Sequence, residues 1–272
     1  MILTVLGCSG SVPGPGNPCS GYLVEHDGYR LLLDLGTGAL GTLLGLLPPG
    51  AVDAVVISHR HGDHLADLAA LAYAQEKRPA RAVPTRVIAP AGTAPTVARA
   101  ELLSFEDARD GDRVLGPFGL RLARVRHSVE TYAVRVEAGG ASLTYTGDSG
   151  PCRALVDLAR ASGLVLAEAA LGPGDPADPA RAPGPGDPAD SGWDCGPGAP
   201  GAAHLTARQA GELAERAGAA LLVVTHLRPW DDPVRSLAAA ADRFSGPTVL
   251  ARPGLRLVPG RPAARSQPEE ET

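Results

Sequence analysis

Within six residues the chain places His59-Arg60-His61-Gly62-Asp63-His64, three imidazoles and a carboxylate. Imidazole nitrogen and carboxylate oxygen are the ligands that borderline cations such as zinc prefer. Four such groups cannot all face one side of a strand or a helix. They converge if the chain leaves a strand, turns at Gly62 and enters a helix at His64. The preceding run, 52–58, reads Val-Asp-Ala-Val-Val-Ile-Ser and has the character of a buried strand. One catalytic zinc takes about three ligands from the protein and keeps a position for water. The surplus here points to two adjacent metals. An incidental polar turn would leave the clustering unexplained.

Further candidates lie far along the chain, each closing an apolar run. His127 follows 120–126, Asp148 follows 142–147, and His226 follows 221–225. Taken singly, a strand-end histidine or a Gly-Asp turn is more often structural. Taken with the cluster, ligands at the ends of successive strands point to a common edge of a β-layer, where α/β architectures place their sites. His26, in Glu-His-Asp-Gly, reads as a hairpin-turn residue and stays outside the site.

The elements that must position these groups follow from periodicity and turn residues. Strands are expected at 2–7, 21–26, 29–34 and 52–58, with helices at 38–47 and 64–77. A strand at 85–90, a helix at 94–103 and strands at 120–127, 131–137 and 142–147 come next. The second half continues with a helix at 153–161, a strand at 164–168 and a helix at 206–217. A strand at 221–225, a helix at 233–244 and strands at 247–251 and 255–258 close the chain. Both halves run from antiparallel meanders into strand–helix alternation. The expected fold class is therefore α/β, two sheets packed face to face with helices outside.

Residues 171–202 break this pattern. Half of those 32 residues are Gly or Pro, and Pro-Gly-Asp-Pro-Ala-Asp occurs at 173–178 and again at 185–190. Such composition cannot bury a core, and the stretch is expected to be a flexible insertion in a single domain spanning 1–258. A lid carrying Trp193 is the functional alternative to a passive insertion. Residues 259–272, ending in acidic side chains, are expected to be a disordered tail.

Composition excludes several function classes. At 272 residues the chain can bury a large core. A net charge of −5 gives no general attraction to a polyanion. No stretch approaches the roughly 20 apolar residues of a membrane span. The first residues read as a strand, without the basic region or cleavage site of a signal peptide. Cys8, Cys19, Cys152 and Cys195 show no C-x-x-C spacing and read as free thiols of a cytoplasmic protein.

Across nearly the whole chain the pattern resembles the metallo-β-lactamase superfamily, which implies an αββα sandwich with a dinuclear metal site at one edge of the sheets. His204-Leu205-Thr206, with His204 and His226 22 residues apart, is similar to the ribonuclease Z-like branch. Three stretches resemble, more narrowly, bacterial cyclic-nucleotide phosphodiesterases of that fold. They are Val5-Leu6-Gly7-Cys8-Ser9-Gly10-Ser11-Val12-Pro13 continuing to Pro18-Cys19-Ser20-Gly21-Tyr22-Leu23, Tyr145-Thr146-Gly147-Asp148-Ser149-Gly150 and Thr225-His226-Leu227-Arg228-Pro229-Trp230.

By that resemblance His59, His61 and His127 hold one metal, Asp63, His64 and His226 the other, and Asp148 bridges them. Two zinc ions are implied, with manganese as the alternative. The implied activity is hydrolysis of small phosphodiesters, foremost 3′,5′-cyclic nucleotides such as cyclic AMP, by a metal-bridged hydroxide. Asp63 would orient the nucleophile or accept its proton, and His204 would serve as general acid to the leaving alkoxide. Ser9, Ser11, Asn17 and Ser20, in the loop after the first strand, are candidate donors to phosphate or nucleotide, or else simply a turn-rich connector. The implied partner is a small-molecule substrate, with a homodimer open, no membrane and no preference for nucleic acid.

The chain departs from the tRNA-processing enzymes of the branch. Their tRNA-gripping arm lies between the equivalents of His127 and Asp148, where this chain has only 20 residues. The 171–202 insertion follows Asp148 instead and holds no lysine and one arginine, Arg181, so it lacks the cations that backbone binding to RNA requires. An aromatic residue of the cyclic-nucleotide subgroup, expected soon after Glu168, is replaced by Ala169-Ala170-Leu171. The rival activities are RNA 3′-processing by a ribonuclease Z-like endonuclease and hydrolysis of a lactam, thioester or lactone. A non-catalytic scaffold is the rival from another class, opposed by its lack of need for seven well-placed ligands.

Overall fold

The computed structural model describes residues 1–77, 84–172, 193, 196 and 202–260. The first half builds β1 (Ile2–Gly7), β2 (Gly21–His26), β3 (Tyr29–Leu35), α1 (Ala39–Leu44), β4 (Ala54–Val56), α2 (Gly62–Leu65), α3 (Leu68–Lys77), β5 (Arg86–Ala89) and β6 (Ser104–Asp107). The second builds β7 (Gly111–Leu115), β8 (Phe118–Arg124), β9 (Tyr132–Ala138), β10 (Ala141–Tyr145), α4 (Arg153–Ala159), β11 (Leu164–Glu168) and α5 (Ala207–Ala217), then β12 (Leu222–Thr225), α6 (Pro233–Ala241), β13 (Thr248–Leu250) and β14 (Arg256–Leu257).

Two mixed seven-stranded sheets result, in the orders β14-β1-β2-β3-β4-β5-β6 and β13-β12-β11-β10-β9-β8-β7. Strand periodicity sorts the side chains into three cores. Leu31 and Leu33 of β3 face Phe118, Val134 and Leu143 of the opposite sheet, whereas Leu32 and Leu35 face outward onto Leu40, Leu43, Leu68 and Leu71 of α1 and α3. Val165 and Ala167 of β11 likewise face Leu155, Leu213 and Ala240 of α4, α5 and α6. The shared middle core makes the chain one domain, an αββα sandwich with helices outside two facing sheets.

Several expected elements differ in detail. The helix expected at 94–103 is instead two single 3₁₀ turns, Ala94–Thr96 and Ala100–Leu102. Arg99 between them is left-handed, with φ 64°, and the Thr93 and Thr96 hydroxyls donate to backbone carbonyls three residues back. Such local side-chain bonds compete with helix propagation. β6 and β7 carry weak sequence signals because they are charged edge strands, one in each sheet. The helix expected at 64–77 begins earlier, at Gly62, and is interrupted between α2 and α3. There Asp67 turns its carboxylate to accept from Leu40 N–H, 2.9 Å away.

Most of the 171–202 insertion and the 261–272 tail lie outside the described residues. Trp193 is described and is buried among the residues under α5, with the Arg216 guanidinium 5.7 Å from its ring centre. No helix among the described residues is long and apolar enough to cross a membrane. Cys8, Cys19 and Cys152 are buried and unpaired. Burial raises both the Cys8 and the Cys19 thiol to about 12, so neither is a reactive thiolate near neutral pH.

Candidate metal centre

β8, β10, β11 and β12 run in one direction, so His127, Asp148, Glu168 and His226 arrive at the same edge of the second sheet. The first sheet meets that edge with the turn after β4. His61 is the N-cap of α2, and Asp63 and His64 lie in its single turn. Gly36 makes the fit possible: a Cβ there would collide with the Asp63 carbonyl oxygen. His226 turns out of β12 in the left-handed region, with φ 60°. A non-glycine residue there is uncommon and consistent with strain held at a functional site.

The structure brings all seven expected ligands together. His59, His61, His127 and Asp148 form one group; Asp63, His64, Asp148 and His226 form a second; in each, the donor atoms lie within 4.8 Å of one another. Asp148 belongs to both. Its Oδ1 lies 3.2 Å from His64 Nε2 and 3.3 Å from His226 Nε2, while its Oδ2 lies 3.6 Å from His59 Nε2. His61 Nδ1 is 3.0 Å from His59 Nε2 and 3.3 Å from His127 Nε2.

The outer nitrogens fix which tautomer each imidazole adopts. His127 Nδ1 donates to the Ala203 carbonyl at 2.8 Å, and His64 Nδ1 donates to Asp34 Oδ2 at 2.7 Å. Ser58 Oγ gives its own proton to Asp34 Oδ2, so it accepts from His59 Nδ1 at 3.0 Å. In each ring Nε2 is left with its lone pair facing the other donors. His226 Nδ1 is engaged by Ser20 Oγ at 2.8 Å. Ligating histidines are held this way, the far nitrogen bonded to carbonyl or carboxylate.

Facing lone pairs in a buried space repel unless a positive charge sits between them. His64 Nε2 and Asp148 Oδ1 are buried and make no hydrogen bond within the described residues, although they lie 3.2 Å apart. In the first group the bare Nε2 atoms of His59 and His127 crowd His61 Nδ1, and the second holds two carboxylates with two imidazoles. This donor set fits cations at both positions, and the cluster is suited to metal binding.

The ionisation pattern agrees. Burial pushes His59 well below its ordinary value, with the charge of His64 adding to it, and burial lowers His127. Both are thus neutral imidazoles. Burial would raise Asp148, but His226, His64 and His59 overcome it and hold the carboxyl well below its usual range. Burial opposes charge on His64 too, yet Asp148 and Asp34 on either side reverse this, so without a cation the ring takes a proton on Nε2, the position a metal ion would occupy in its place.

His204 stands beside the cluster, two residues before Thr206. Thr206 caps α5 in a reciprocal capping box with Gln209. The His204 ring is free of that cap: its Nδ1 bonds Glu168 Oε1 at 3.1 Å and lies 3.7 Å from Asp148 Oδ2. Burial acts to lower this imidazole, but the charge and hydrogen bond of Glu168, aided by Asp148, raise it to about 9. Glu168 is itself fixed by Ser149 and Ala170 backbone N–H groups at 2.8 and 2.9 Å.

Two functional positions were missed from the sequence. Asp34 is fully buried at φ 57° and accepts from Ser58 N–H, Ser58 Oγ, His64 Nδ1 and Tyr145 Oη. Its signal is an acid inside Leu31-Leu32-Leu33-Asp34-Leu35. Glu168 gave the same signal at the end of β11. Among the candidate phosphate donors, two hydroxyls are engaged elsewhere: Ser9 Oγ donates to Val12 O and Ser20 Oγ meets His226, while Asn17 Oδ1 accepts from Cys8. His26 lies at the end of β2 against Phe118.

A domain family described as "Beta-lactamase superfamily domain" matches residues 29–227. The chain belongs to the beta-lactamase superfamily. A relative in Mycobacterium leprae, described as an uncharacterized protein, is 34% identical over 261 residues, covering 90% of this chain and 84% of the relative. YhfI of Bacillus subtilis, named a probable metallo-hydrolase, is 27% identical over 94% of this chain and 98% of its own. Its crystal structure superposes with a TM-score of 0.79 at 25% identity, covering 94% and 98% of the two chains. Ribonuclease Z of Methanopyrus kandleri is 29% identical over 94% of this chain and 96% of that enzyme. With its His/Asp cluster, this superfamily member is a metallo-hydrolase of the beta-lactamase fold.

Proposed function

We propose that the protein is a dinuclear phosphodiesterase acting on small phosphodiesters, foremost 3′,5′-cyclic nucleotides such as cyclic AMP. The observation that carries this is the pair of donor groups sharing Asp148, with His204 and Glu168 alongside. His59, His61 and His127 would hold one cation, Asp63, His64 and His226 the other, and Asp148 both. Zinc suits the nitrogen-rich set best, with manganese the alternative. When bound, such a pair supplies Lewis-acid charge to phosphoryl oxygens and lowers the pKa of water towards neutrality.

The chain's own residues do the rest. Asp63, the most exposed of the carboxylates in the two groups, orients the attacking water and accepts its proton. His204 uses Nδ1 on Glu168, which leaves Nε2 to protonate the departing alkoxide. Glu168 favours the protonated imidazole, raising it to about 9 when no metal is bound.

Small substrates are favoured by what joins His127 to Asp148: the β9–β10 hairpin, closed by Gly139 and Gly140, leaves no room for an RNA-gripping arm. The acidic net charge of −5 points the same way. RNA 3′-processing is the second reading, favoured by the likeness to ribonuclease Z of Methanopyrus kandleri. Zinc- or manganese-loaded protein should turn over bis(p-nitrophenyl) phosphate and leave β-lactam and thioester substrates intact. Turnover of a lactam or thioester without phosphodiester cleavage would replace the assignment.

A further inference from the structure

The loop at 9–17, between β1 and β2, donates one backbone hydrogen bond into the metal centre. Ser11 N–H reaches Asp63 Oδ2 at 2.9 Å. That same oxygen lies 3.6 Å from His64 Nε2 and 3.7 Å from His226 Nε2. The amide thus occupies one lone pair of Oδ2 and leaves the other facing the two imidazoles. Ser11 adopts φ 63° to present this amide, a left-handed conformation that a serine does not hold without support.

The support is a set of pins rather than packing. A cavity of about 230 Å³ lies between this loop and the 224–233 segment, lined among others by Asn17, Gly14, Cys8 and Leu227. Across it, Gly10 N–H donates to Leu227 O at 2.9 Å. At the other end, Asn17 closes the loop. Its Oδ1 accepts from Cys8 N–H at 3.1 Å and from Cys8 Sγ at 3.3 Å, and its backbone exchanges both hydrogen bonds with Gly14. Ser9 Oγ pins the turn itself on Val12 O at 2.7 Å, and Asn17 is the side chain, among the described hydrogen bonds, that ties the loop's return to Cys8, directly after β1.

We propose that Asn17 is a positioning residue for one half of the metal centre: it fixes the loop so that the Ser11 amide orients Asp63. The ligands affected are those of the Asp63, His64, Asp148 and His226 group. The His59, His61 and His127 group has no contact with the loop among the hydrogen bonds described and stands apart from this device. The reaction consequence rests on the phosphodiesterase reading; the metal consequence does not.

The test is a titration of chelator-treated protein with cobalt(II), followed by absorption and calorimetry, for wild type and three variants. Outer hydrogen-bond partners of ligands typically contribute about 10–100-fold in metal affinity. Asn17→Ala should weaken one of the two equivalents by about tenfold or more and leave the other unchanged. Asn17→Asp keeps both acceptor bonds to Cys8 and should restore that equivalent. Ser11→Ala keeps the amide and should bind both cobalt equivalents with wild-type affinity.

Two unchanged equivalents in Asn17→Ala would overturn the proposal. Equal loss of both equivalents, without rescue by Asn17→Asp, would mark Asn17 as a plain folding residue and also overturn it. Damage by Ser11→Ala as large as by Asn17→Ala would assign the effect to the hydroxyl instead. Bis(p-nitrophenyl) phosphate turnover is read in parallel. A split in cobalt affinity with no wild-type turnover would sink the phosphodiesterase reading and leave the positioning role standing.

Discussion

At the residue scale, Asp63 and His204 are separable by what their loss removes. Asp63→Ala should abolish phosphodiester turnover, since both a ligand and the proton acceptor go. His204→Ala should lower turnover by about 10²–10⁴-fold, the usual contribution of a general acid, with metal content near wild type by elemental analysis. Loss of a metal from His204→Ala would make it a ligand instead. Glu168 sets the His204 charge. In chelated protein the His204 resonance should titrate near 9, and Glu168→Gln should bring it down towards an ordinary histidine value. A folded-state value raised this way stabilises the fold fully below the unfolded value, about 6.5, and that contribution fades as pH climbs through about 9. The ligands themselves were legible because four of them share one six-residue string and the other three end apolar runs. Asp34 and Glu168 were not, because a group that orients a ligand leaves no spacing rule; its one trace in the sequence is an acid within an apolar run.

At the element scale, strands that end at the site were legible in type and nearly in extent, because each is a short apolar run closed by a polar residue. The first helix of the site was read in place but two residues late, since His61 and not Asp63 is its N-cap. The helix expected at 94–103 failed for a local reason: threonine hydroxyls and a left-handed Arg99 break a stretch whose composition suits a helix. α5 needs its reciprocal cap, because it starts directly after the segment that carries His204. Thr206→Ala should cost about 1 kcal/mol of stability in denaturant unfolding. Turnover should fall little if the cap serves the helix alone, and clearly if the same turn also holds His204 against Glu168.

At the scale of the whole molecule, each sheet brings half of the site to a shared edge, so neither half of the chain can hold the centre alone. The two-layer order was legible from the repeated change of meander into strand–helix alternation. The crossing by the short segment from β6 to β7, and the return of β14 to pair with β1, were not, since both use charged or very short edge strands. Metal binding across that edge should stabilise the fold: adding about two equivalents of zinc to chelated protein should raise Tm, and elemental analysis of loaded protein should find about two metals per chain. One metal or none would contradict the dinuclear account. The most direct measurement compares kcat/KM for cyclic AMP with that for a tRNA precursor carrying a 3′ trailer, on the same metal-loaded protein. The account expects clear cyclic AMP hydrolysis and poor trailer removal. Efficient trailer removal with negligible cyclic AMP turnover would contradict it and make the protein a ribonuclease.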